Sequence, residues 1–350
     1  MRRSETPAHD ANLDEYEVVL DVRPNQSGAT IPGSVHAPLA ELLESPSAFI
    51  TSEDTTVLTV CDVGMRSLVA ARELESKGFT SVVSLEGGID RWRRDGKPLT
   101  TPIGFSLDDL DRYDRQIKLP DVGAAGQRTI LDATVTVIGA GGLGAPVISY
   151  LAGAGVGRLR IIDGDVVEVS NLQRQPLYTP EQASESKSQM AAMFAAGLNP
   201  TIQVDHIDEM LTATNARKLI EGSDAVVDAT DRFDARYAIN DAAIDLGVPL
   251  VSGAVYRWEG QLMTVMPEGP CYRCVFPSPP DSDVTLDCAL TGVIGPVVGT
   301  IGSMQATEVL RLLVGADGGF AGRLVLVDGR TASTTSLMVE RRDGCPACGN

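Results

Sequence analysis

Short apolar runs alternate with amphipathic stretches over the N-terminal part of the chain. Residues 18–22 and 56–60 are rich in β-branched residues and have the length of buried strands. Residues 67–77 carry apolar side chains at helical spacing before a glycine, and a third strand-like run follows at 81–85. Strands that alternate with helices in this way predict a small parallel sheet. Residues 97–104 lack such periodicity and predict a linker.

A second alternating pattern begins near residue 134. A strand at 135–138 is followed by a glycine-rich turn, a helical stretch and a strand at 159–162, the order that opens a nucleotide-binding fold. Further runs of strand length are 225–228, 249–252 and 324–327. The patterns predict an α/β protein with a small parallel-sheet domain over residues 1–103 and a Rossmann-like domain over residues 104–350.

The longest uncharged stretch, residues 288–307, raises the question of a membrane span. It contains Pro296, Gln305 and four glycines, so we expect a core helix and no membrane contact. The glycines recur at steps of three, four and three, which predicts a stripe that lets another backbone approach closely. They are Gly292, Gly295, Gly299 and Gly302.

The composition is typical of a packed protein, with 43% hydrophobic and 22% charged residues. The 29 basic and 47 acidic residues give a net charge of −18, and a chain this acidic repels nucleic acid unless its cations cluster, which they do not. Residues 1–10 lack the apolar segment of a secretory signal. We therefore expect a cytoplasmic protein that binds no nucleic acid.

Six cysteines in a reducing compartment indicate metal binding or catalysis, because disulfides are rare there. Four of them form two Cys-x-x-Cys pairs, Cys271 with Cys274 and Cys345 with Cys348. Paired knuckles of this kind can supply four thiolates to one tetrahedral zinc ion. The alternative, two independent redox pairs, requires a strand-to-helix start that neither pair has in the predicted pattern.

Cys61 follows a predicted strand and precedes a predicted helix, in the sequence Cys-Asp-Val-Gly-Met-Arg-Ser. Backbone N–H groups and the positive end of the helix converge in such a loop, which stabilises a thiolate or a persulfide anion. Arg66 adds a cation at the rim of the loop. These features predict a nucleophile at Cys61, although a half-buried cysteine beside a turn explains the residue taken alone.

A turn rich in glycine follows the first strand of the second domain and contains Gly139, Gly141, Gly142 and Gly144. Glycines let the backbone approach a phosphate at the helix N-terminus. Asp163, 19 residues past Gly144, is placed to accept hydrogen bonds from a ribose hydroxyl. NAD and ATP both offer a ribose and phosphates, so the turn alone does not separate them.

Three further features favour ATP. Arg174 lies in the segment Ser170-Asn171-Leu-Gln-Arg174-Gln, Lys187 comes thirteen residues after Arg174, and Asp231 ends the segment Asp-Ala-Thr-Asp. Two cations and a carboxylate able to hold Mg²⁺ suit a triphosphate attacked at its α-phosphorus better than a hydride donor. Either cation taken alone is better explained by a surface ion pair. Their combination favours adenylation.

The Cys61 loop and residues 21–23, 31–37 and 85–92 together resemble a single rhodanese domain. The resemblance covers about residues 14–100, from the first strand of the domain to its closing helix. It implies that sulfane sulfur is transferred through a persulfide on Cys61.

Residues from about 108 to 350 resemble the ubiquitin-activating-like adenylyltransferases of the ThiF/MoeB type. The matching elements are Arg112-Tyr-Asp-Arg115, the glycine turn, Asp163-Gly-Asp165, residues 170–175, Lys187, residues 228–231, 251–254 and 259–261, and both cysteine pairs. The resemblance implies that Asp231 holds Mg²⁺. It implies that Asn171, Arg174 and Lys187 contact the ATP phosphates. It also implies a homodimer in which Arg115 reaches the nucleotide of the partner subunit.

The residues expected to bind the nucleotide are Gly139, Gly141, Gly142, Gly144, Asp163, Asp165, Ser170, Asn171, Arg174, Lys187, Asp231 and Arg232. Arg232 stands where the family commonly has asparagine. Cys288 matches the loop cysteine of the family and is the expected second thiol; a small buried hydrophobe at the start of the glycine stripe is the alternative. The expected catalytic residues are Cys61, Arg66, Arg115, Arg174, Asp231 and Cys288.

These resemblances imply an enzyme that uses ATP to adenylate the C-terminal Gly-Gly of a ubiquitin-like sulfur carrier and then forms a thiocarboxylate with sulfur from Cys61. A cysteine desulfurase or a small donor would charge Cys61, and the sulfur would serve the synthesis of the molybdenum cofactor, thiamine, thiolated tRNA or cysteine, among which the sequence does not choose. The alternatives are a carrier adenylyltransferase with an accessory rhodanese domain, an NAD-dependent oxidoreductase fused to a rhodanese, and a non-catalytic scaffold.

Overall fold

The structure, a computed structural model, describes residues 4–25, 28–102, 104–279 and 292–349. The chain divides into two units, Met1–Ala124 and Ala125–Asn350. Each unit contains its own β-sheet, and strands and helices are numbered here in chain order.

Five parallel strands form the sheet of the first unit, in the order β1-β5-β4-β2-β3. The strands are β1 (Glu5–Pro7), β2 (Val18–Asp21), β3 (Val35–His36), β4 (Val57–Val60) and β5 (Val82–Glu86). The helices are α1 (Leu39–Glu44), α2 (Met65–Ser76), α3 (Gly88–Arg94) and α4 (Leu107–Ile117). Leu74 of α2 packs in one apolar cluster with Val57, and Trp92 of α3 packs in another with Leu58. Both faces of β4 are therefore covered, which agrees with the burial of all four of its residues.

The sequence pattern predicted β2, β4, β5 and α2, and the structure contains all four. It did not predict β1 and β3, which are three and two residues long. Helix α4, expected to open the second domain, belongs to the first unit, where Asp111 of α4 pairs with Arg93 of α3. The expected boundary at residue 103 thus precedes the division between the units.

Eight strands form the sheet of the second unit, in the order β13-β12-β11-β10-β9-β6-β7-β8. The strands are β6 (Thr134–Ile138), β7 (Arg158–Ile162), β8 (Gln203–Ile207), β9 (Ala225–Asp228), β10 (Leu250–Tyr256), β11 (Glu259–Val265), β12 (Arg323–Asp328) and β13 (Ser333–Met338). The helices are α5 (Gly123–Asp132), which begins just before the division, α6 (Gly144–Ala154), α7 (Lys187–Leu198), α8 (Ala216–Ile220), α9 (Phe233–Leu246), α10 (Tyr272–Val275) and α11 (Gly295–Val314). Strands β8, β7, β6, β9 and β10 lie side by side in this order and are parallel to one another. The order of the strands along the chain reverses between β6 and β9. Ligands of such sheets bind outside the carboxyl ends of the strands at this reversal.

The sheet is parallel over five strands and antiparallel beyond them, since β11, β12 and β13 pair antiparallel to their neighbours. The five parallel strands form the Rossmann-like part that the sequence predicted, and the antiparallel strands extend it at one edge. Strand β13 is exposed at all six residues and rich in Ser and Thr, so it lacks the apolar alternation that would identify a strand.

Helix α11 packs against α6, but only two of the four glycines of the predicted stripe, Gly295 and Gly302, lie against another backbone. Gly292 precedes the helix, and a Cβ on Gly299 would meet no described atom within 4 Å. A Cβ on Gly302 would lie 2.5 Å from the carbonyl oxygen of Leu143, so only glycine admits this approach. Among the described residues, α11 is also the one helix long and apolar enough, by length and composition, to cross a membrane. Its buried Gln305 and Glu308 both hydrogen-bond inside the unit, as in a core helix.

Candidate functional site

Cys61 lies at the carboxyl end of β4 and begins a loop whose conformation and packing require glycine at two positions, Gly64 within the loop and Gly88 in the turn packed against it. Gly64, just before α2, has a φ of 90°, a conformation that favours glycine. A Cβ on Gly88 would lie 2.2 Å from the carbonyl oxygen of Cys61. The turn at residues 87–88 therefore fixes the Cys61 loop from one side.

The Cys61 side chain is 1% exposed and held by polar groups. The backbone N–H of Ser67 donates to Cys61 Sγ at 3.4 Å, and the hydroxyl of Ser67 lies 3.5 Å away. Ser84 in turn donates to the Ser67 hydroxyl at 3.0 Å. In the described part of the chain, the N–H groups of residues 62–66 have no protein acceptor. Unpaired N–H groups in a loop before a helix are donors of the kind that can bind an anionic group such as a persulfide.

Arg66 lies at the rim of the loop, half exposed, with its guanidinium 3.7 Å from the carboxylate of Asp62. Asp62 is also 3.4 Å from Arg23, whose buried guanidinium pairs with Asp21 at 2.6 Å. Asp62 therefore lies within ion-pair distance of both Arg23 and Arg66, next to Cys61. The sequence interpretation singled out Arg66 and missed this ion-pair chain.

Three glycines of the turn after β6, Gly139, Gly142 and Gly144, are packed too tightly for a side chain, whereas Gly141 has room for one. A Cβ on Gly139, where φ is 96°, would lie 2.7 Å from the carbonyl oxygen of Ala229. A Cβ on Gly142 would lie 2.7 Å from the side chain of Val298. Within the described residues, the N–H groups of residues 141–144 have no protein acceptor. Free N–H groups at the start of a helix favour a phosphate.

Gly144→Ala is expected to destroy the glycine turn, because its Cβ would lie 2.0 Å from the carbonyl oxygen of Gly139. The second unit should lose about 3 kcal/mol or more of unfolding free energy, together with its response to ATP. Gly153→Ala is the control in the same helix, since its Cβ would meet Leu198 at an ordinary 3.8 Å and should stabilise α6 by about 1 kcal/mol. Thermal unfolding with and without ATP·Mg separates the two variants; an ATP response retained by Gly144→Ala would contradict this geometry.

Asp163 at the end of β7 accepts hydrogen bonds from the N–H groups of Ala140 at 2.7 Å and Asp165 at 2.8 Å. Burial raises the pKa of Asp163, and these two hydrogen bonds oppose the rise. Lys187, the first residue of α7, is buried and places its Nζ 3.0 Å from the carboxylate of Asp165. The hydroxyl of Tyr178 donates to the carbonyls of Ala140 at 2.7 Å and Lys187 at 3.2 Å. Tyr178, which the sequence interpretation missed, thus ties the glycine turn to Lys187.

The segment around Arg174 lies beside the same turn. A Cβ on Gly142 would be 3.4 Å from the side chain of Arg174, and Arg174 donates to the side-chain oxygen of Asn171 at 2.9 Å. Asn171 and Ser170 both donate to the carboxylate of Glu168, at 3.3 and 3.2 Å. The structure therefore brings Asn171 and Arg174 together near the turn and engages Ser170 with a neighbouring carboxylate.

The two aspartates of residues 228–231 have different environments. Asp228 is fully buried and accepts hydrogen bonds from Thr230 and from Ser252 at 2.7 Å. Asp231 is exposed and, within the described part of the chain, makes no hydrogen bond or ion pair. Asp228 therefore holds the turn together, and Asp231 is the carboxylate free to bind a cation.

Arg232 is exposed and pairs with the carboxylate of Asp234. The hydrogen bond to Asp234 raises the pKa of Arg232; partial burial opposes the rise, and the charges of Asp231 and Asp165 add to it. The residue expected to contact nucleotide is thus already paired.

The two Cys-x-x-Cys pairs form one cluster, as predicted. The four Sγ atoms of Cys271, Cys274, Cys345 and Cys348 lie within 4.8 Å of one another, with 3.6 Å between Cys271 and Cys345 and 3.4 Å between Cys274 and Cys348. Tetrahedral zinc with Zn–S bonds of about 2.3 Å requires sulfurs roughly 3.8 Å apart, so the cluster fits this ion.

Ionisation of the cluster also favours a cation. Burial, followed by contact with neighbouring thiols, raises the pKa of the Cys271 thiol. Burial opposes ionisation of Cys345 as well, but the N–H groups of Cys348 and Ala347 bring the pKa of its thiol down to about 6. One thiolate forms readily, and a second beside it needs a positive charge.

Two predicted catalytic residues have no assigned place in these sites. Cys288 lies outside the described residues. Arg115 is exposed on α4 in the first unit, and its expected reach into a partner subunit stays a prediction.

Comparisons with known proteins cover both units. The profile of the ThiF family matches residues 113–347, and the profile of the rhodanese-like domain matches residues 6–95. The SAMP-activating enzyme E1 of Haloferax volcanii is 45% identical over 247 residues, which are 70% of this chain and 92% of that protein. The sulfur carrier protein adenylyltransferase of Thermus thermophilus is 46% identical over 252 residues, 70% of this chain and 93% of that protein.

The adenylyltransferase and sulfurtransferase MOCS3 of Mus musculus is 42% identical over 254 residues, 72% of this chain and 55% of that protein. A crystal structure of E. coli MccB with ATP covers 68% of this chain and 75% of its own, with a TM-score of 0.61 at 22% identity, and so shows a shared fold. The chain carries a rhodanese-like domain and belongs to the ThiF family.

Proposed function

We propose that this protein uses ATP to adenylate the C-terminal Gly-Gly carboxylate of a ubiquitin-like sulfur carrier and converts it to a thiocarboxylate with sulfur held on Cys61. The observation that carries the proposal is the unpaired carboxylate of Asp231. It follows the carboxyl end of β9, and the glycine turn follows the carboxyl end of the neighbouring strand β6. A SAMP-activating enzyme and a sulfur carrier protein adenylyltransferase among the relatives support the carrier as substrate.

The residues of the second unit suit attack at the α-phosphorus of ATP. The free N–H groups of residues 141–144 and the cations Arg174 and Lys187 stabilise the phosphates. Asp163 has lone pairs left to accept from the ribose. Asp231 would hold Mg²⁺, which supplies charge neutralisation when bound. The carrier carboxylate attacks, pyrophosphate leaves, and an acyl-adenylate forms.

Sulfur transfer then uses two thiols. The terminal sulfur of the Cys61 persulfide attacks the acyl carbonyl, a C–S bond forms, and the C–O bond to AMP breaks. The product is an acyl disulfide between carrier and Cys61. Cys288 attacks the Cys61 sulfur, which releases the thiocarboxylate and leaves a Cys61–Cys288 disulfide for an external thiol to reduce.

The sulfur donor we propose is a protein persulfide, such as that of a cysteine desulfurase, acting in a reducing cytoplasm. Large apolar side chains on and beside the Cys61 loop are exposed: Val63 by 56%, Met65 by 73% and Val69 by 48%. Exposed apolar side chains of this kind suit contact with a protein. We also propose a homodimer in which Arg115 contacts the nucleotide of the partner subunit.

Zinc is the metal that we propose for the cysteine cluster. Cys345→Ala should lower zinc from about one ion per chain and lower the melting temperature, because structural zinc binding is folding free energy. Cys61→Ala is the control and should keep its zinc. Elemental analysis and thermal unfolding test this, and full zinc occupancy in Cys345→Ala would contradict the assignment.

Carrier-dependent ATP–pyrophosphate exchange against a panel of proteins ending in Gly-Gly tests the function. We expect exchange with at least one carrier and thermal stabilisation by ATP·Mg but not by NAD. Stabilisation by NAD alone, with no exchange, would favour the oxidoreductase alternative.

A further inference from the structure

Helix α9 connects the nucleotide site to the cysteine cluster. It begins two residues after Asp231, and one of its faces contacts the Cys271–Cys274 knuckle. The side-chain oxygen of Asn240 accepts from the N–H of Tyr272 at 2.8 Å. Two 2.7 Å hydrogen bonds join Arg273 to Asp241. The knuckle is therefore locked onto the helix that follows the proposed Mg²⁺ carboxylate.

Arg236 of α9 contacts both sites with one side chain. It is 4% exposed, and its Nη2 donates to the carbonyl oxygens of Thr230 and Gly253, each at 2.9 Å. Its Nε lies 3.3 Å from the buried carboxylate of Asp228. Its guanidinium lies 5.6 Å from the centre of the ring of Tyr272. Tyr272 itself stands between Cys271 and Cys274 in the sequence. Arg236 therefore links the Tyr272 ring to the carbonyl oxygen of Thr230, next to Asp231.

We propose that Arg236 is a positioning residue that couples metal binding at the cysteine cluster to Mg²⁺–nucleotide binding at Asp231. A buried guanidinium keeps its place only while its acceptors and its aromatic wall are present, because an unpaired buried charge is costly. The metal orders the knuckle, the knuckle presents Tyr272 to Arg236, and Arg236 fixes the carbonyl of Thr230. The inference rests on the proposed function for the role of Asp231.

Coupling of this kind acts in both directions. Metal in the cluster should strengthen Mg²⁺-dependent nucleotide binding, and ATP·Mg should slow the release of zinc to a chelator by the same pathway. The second effect is measurable without any catalytic turnover.

The test uses the full chain with Arg236→Lys and Tyr272→Leu, and Phe276→Leu as the matched control. Phe276 packs on the Tyr272 ring with ring centres 4.8 Å apart. Phe276→Leu therefore alters a neighbour of that ring but keeps both Tyr272 and Arg236. Titration of ATP·Mg into the protein by calorimetry should show a dissociation constant raised about 10-fold in both test variants and unchanged in the control. Tyr272→Phe, which keeps the ring, should retain most of the affinity for ATP·Mg that Tyr272→Leu loses.

Zinc content and chelator release complete the test. Arg236→Lys should hold as much zinc as the parent, and ATP·Mg should slow zinc release in the parent but not in Arg236→Lys. An unchanged ATP·Mg dissociation constant in Arg236→Lys, or an equal shift in Phe276→Leu, would overturn the proposal. Failure of the proposed function has a different signature, namely normal ATP·Mg binding by the parent with no exchange for any carrier.

Discussion

Asp231→Ala is expected to lower carrier-dependent ATP–pyrophosphate exchange by a factor of about 100 or more, because the Mg²⁺ proposed for this carboxylate would supply several kcal/mol of charge stabilisation in the transition state. Asp231 is the exposed carboxylate without a partner in the described chain, whereas Asp228 is buried and satisfied. The fold should survive, since the Asp231 side chain anchors nothing. Exchange rates measured at saturating Mg²⁺ test the prediction.

Asp245→Ala is the matched control for Asp231→Ala. Asp245 lies near the far end of α9, is exposed and pairs with Arg217 on the surface, so its loss should leave exchange unchanged. Persulfide formation on Cys61 should be normal in both variants, because it uses the first unit alone. Exchange at the parental rate in Asp231→Ala would show that Asp231 has a structural role only.

Cys61→Ala is expected to abolish thiocarboxylate formation from a protein persulfide donor while ATP–pyrophosphate exchange continues at the parental rate. Adenylation needs no sulfur, and Cys61 is the thiol whose loop offers free N–H donors to a persulfide. Mass spectrometry of the carrier and exchange assays on the same sample measure the two steps separately. Thiocarboxylate from Cys61→Ala and the same donor would make the rhodanese domain an accessory.

Cys288→Ala should behave differently from Cys61→Ala. If Cys288 resolves the acyl disulfide, its loss permits adenylation and stalls the carrier on Cys61. Intact mass under non-reducing conditions should show enzyme plus carrier, and added thiol should release the carrier. Thiocarboxylate at the normal rate with no such adduct would assign resolution to an external thiol.

Local pattern was sufficient for the parts of the fold that are locally encoded. Strands β2 and β4 are β-branched runs with a buried face, and the glycine turn after β6 announces a helix start. The antiparallel edge was not predictable in this way, because β13 is polar and exposed and is a strand only through its pairing with β12. The same limit applies to α4, whose membership in the first unit depends on contacts such as Arg93 with Asp111.

The same distinction applies to the candidate sites: a motif could be predicted from its spacing, whereas a contact that the fold creates could not. Spacing alone predicted that four cysteines would meet, and the structure brings their sulfurs together. Tyr178 and Arg236 were not predicted, because each acts through contacts that the fold creates: Tyr178 reaches Ala140, 38 residues away, and Arg236 reaches the Tyr272 ring. Neither residue stands in an apolar stretch that would mark it: Tyr178 lies between Leu177 and Thr179, and Arg236 follows Asp234 and Ala235.

The central claim is that one chain both activates a carrier and delivers sulfur to it. Its most direct test is the intact mass of a Gly-Gly carrier after incubation with the full protein, ATP·Mg and a protein persulfide donor. The account predicts a carrier converted to the C-terminal thiocarboxylate, with conversion lost when ATP is omitted or when Cys61→Ala replaces the parent. A carrier of unchanged mass, in samples where ATP–pyrophosphate exchange and Cys61 persulfide are both measured directly, would contradict it.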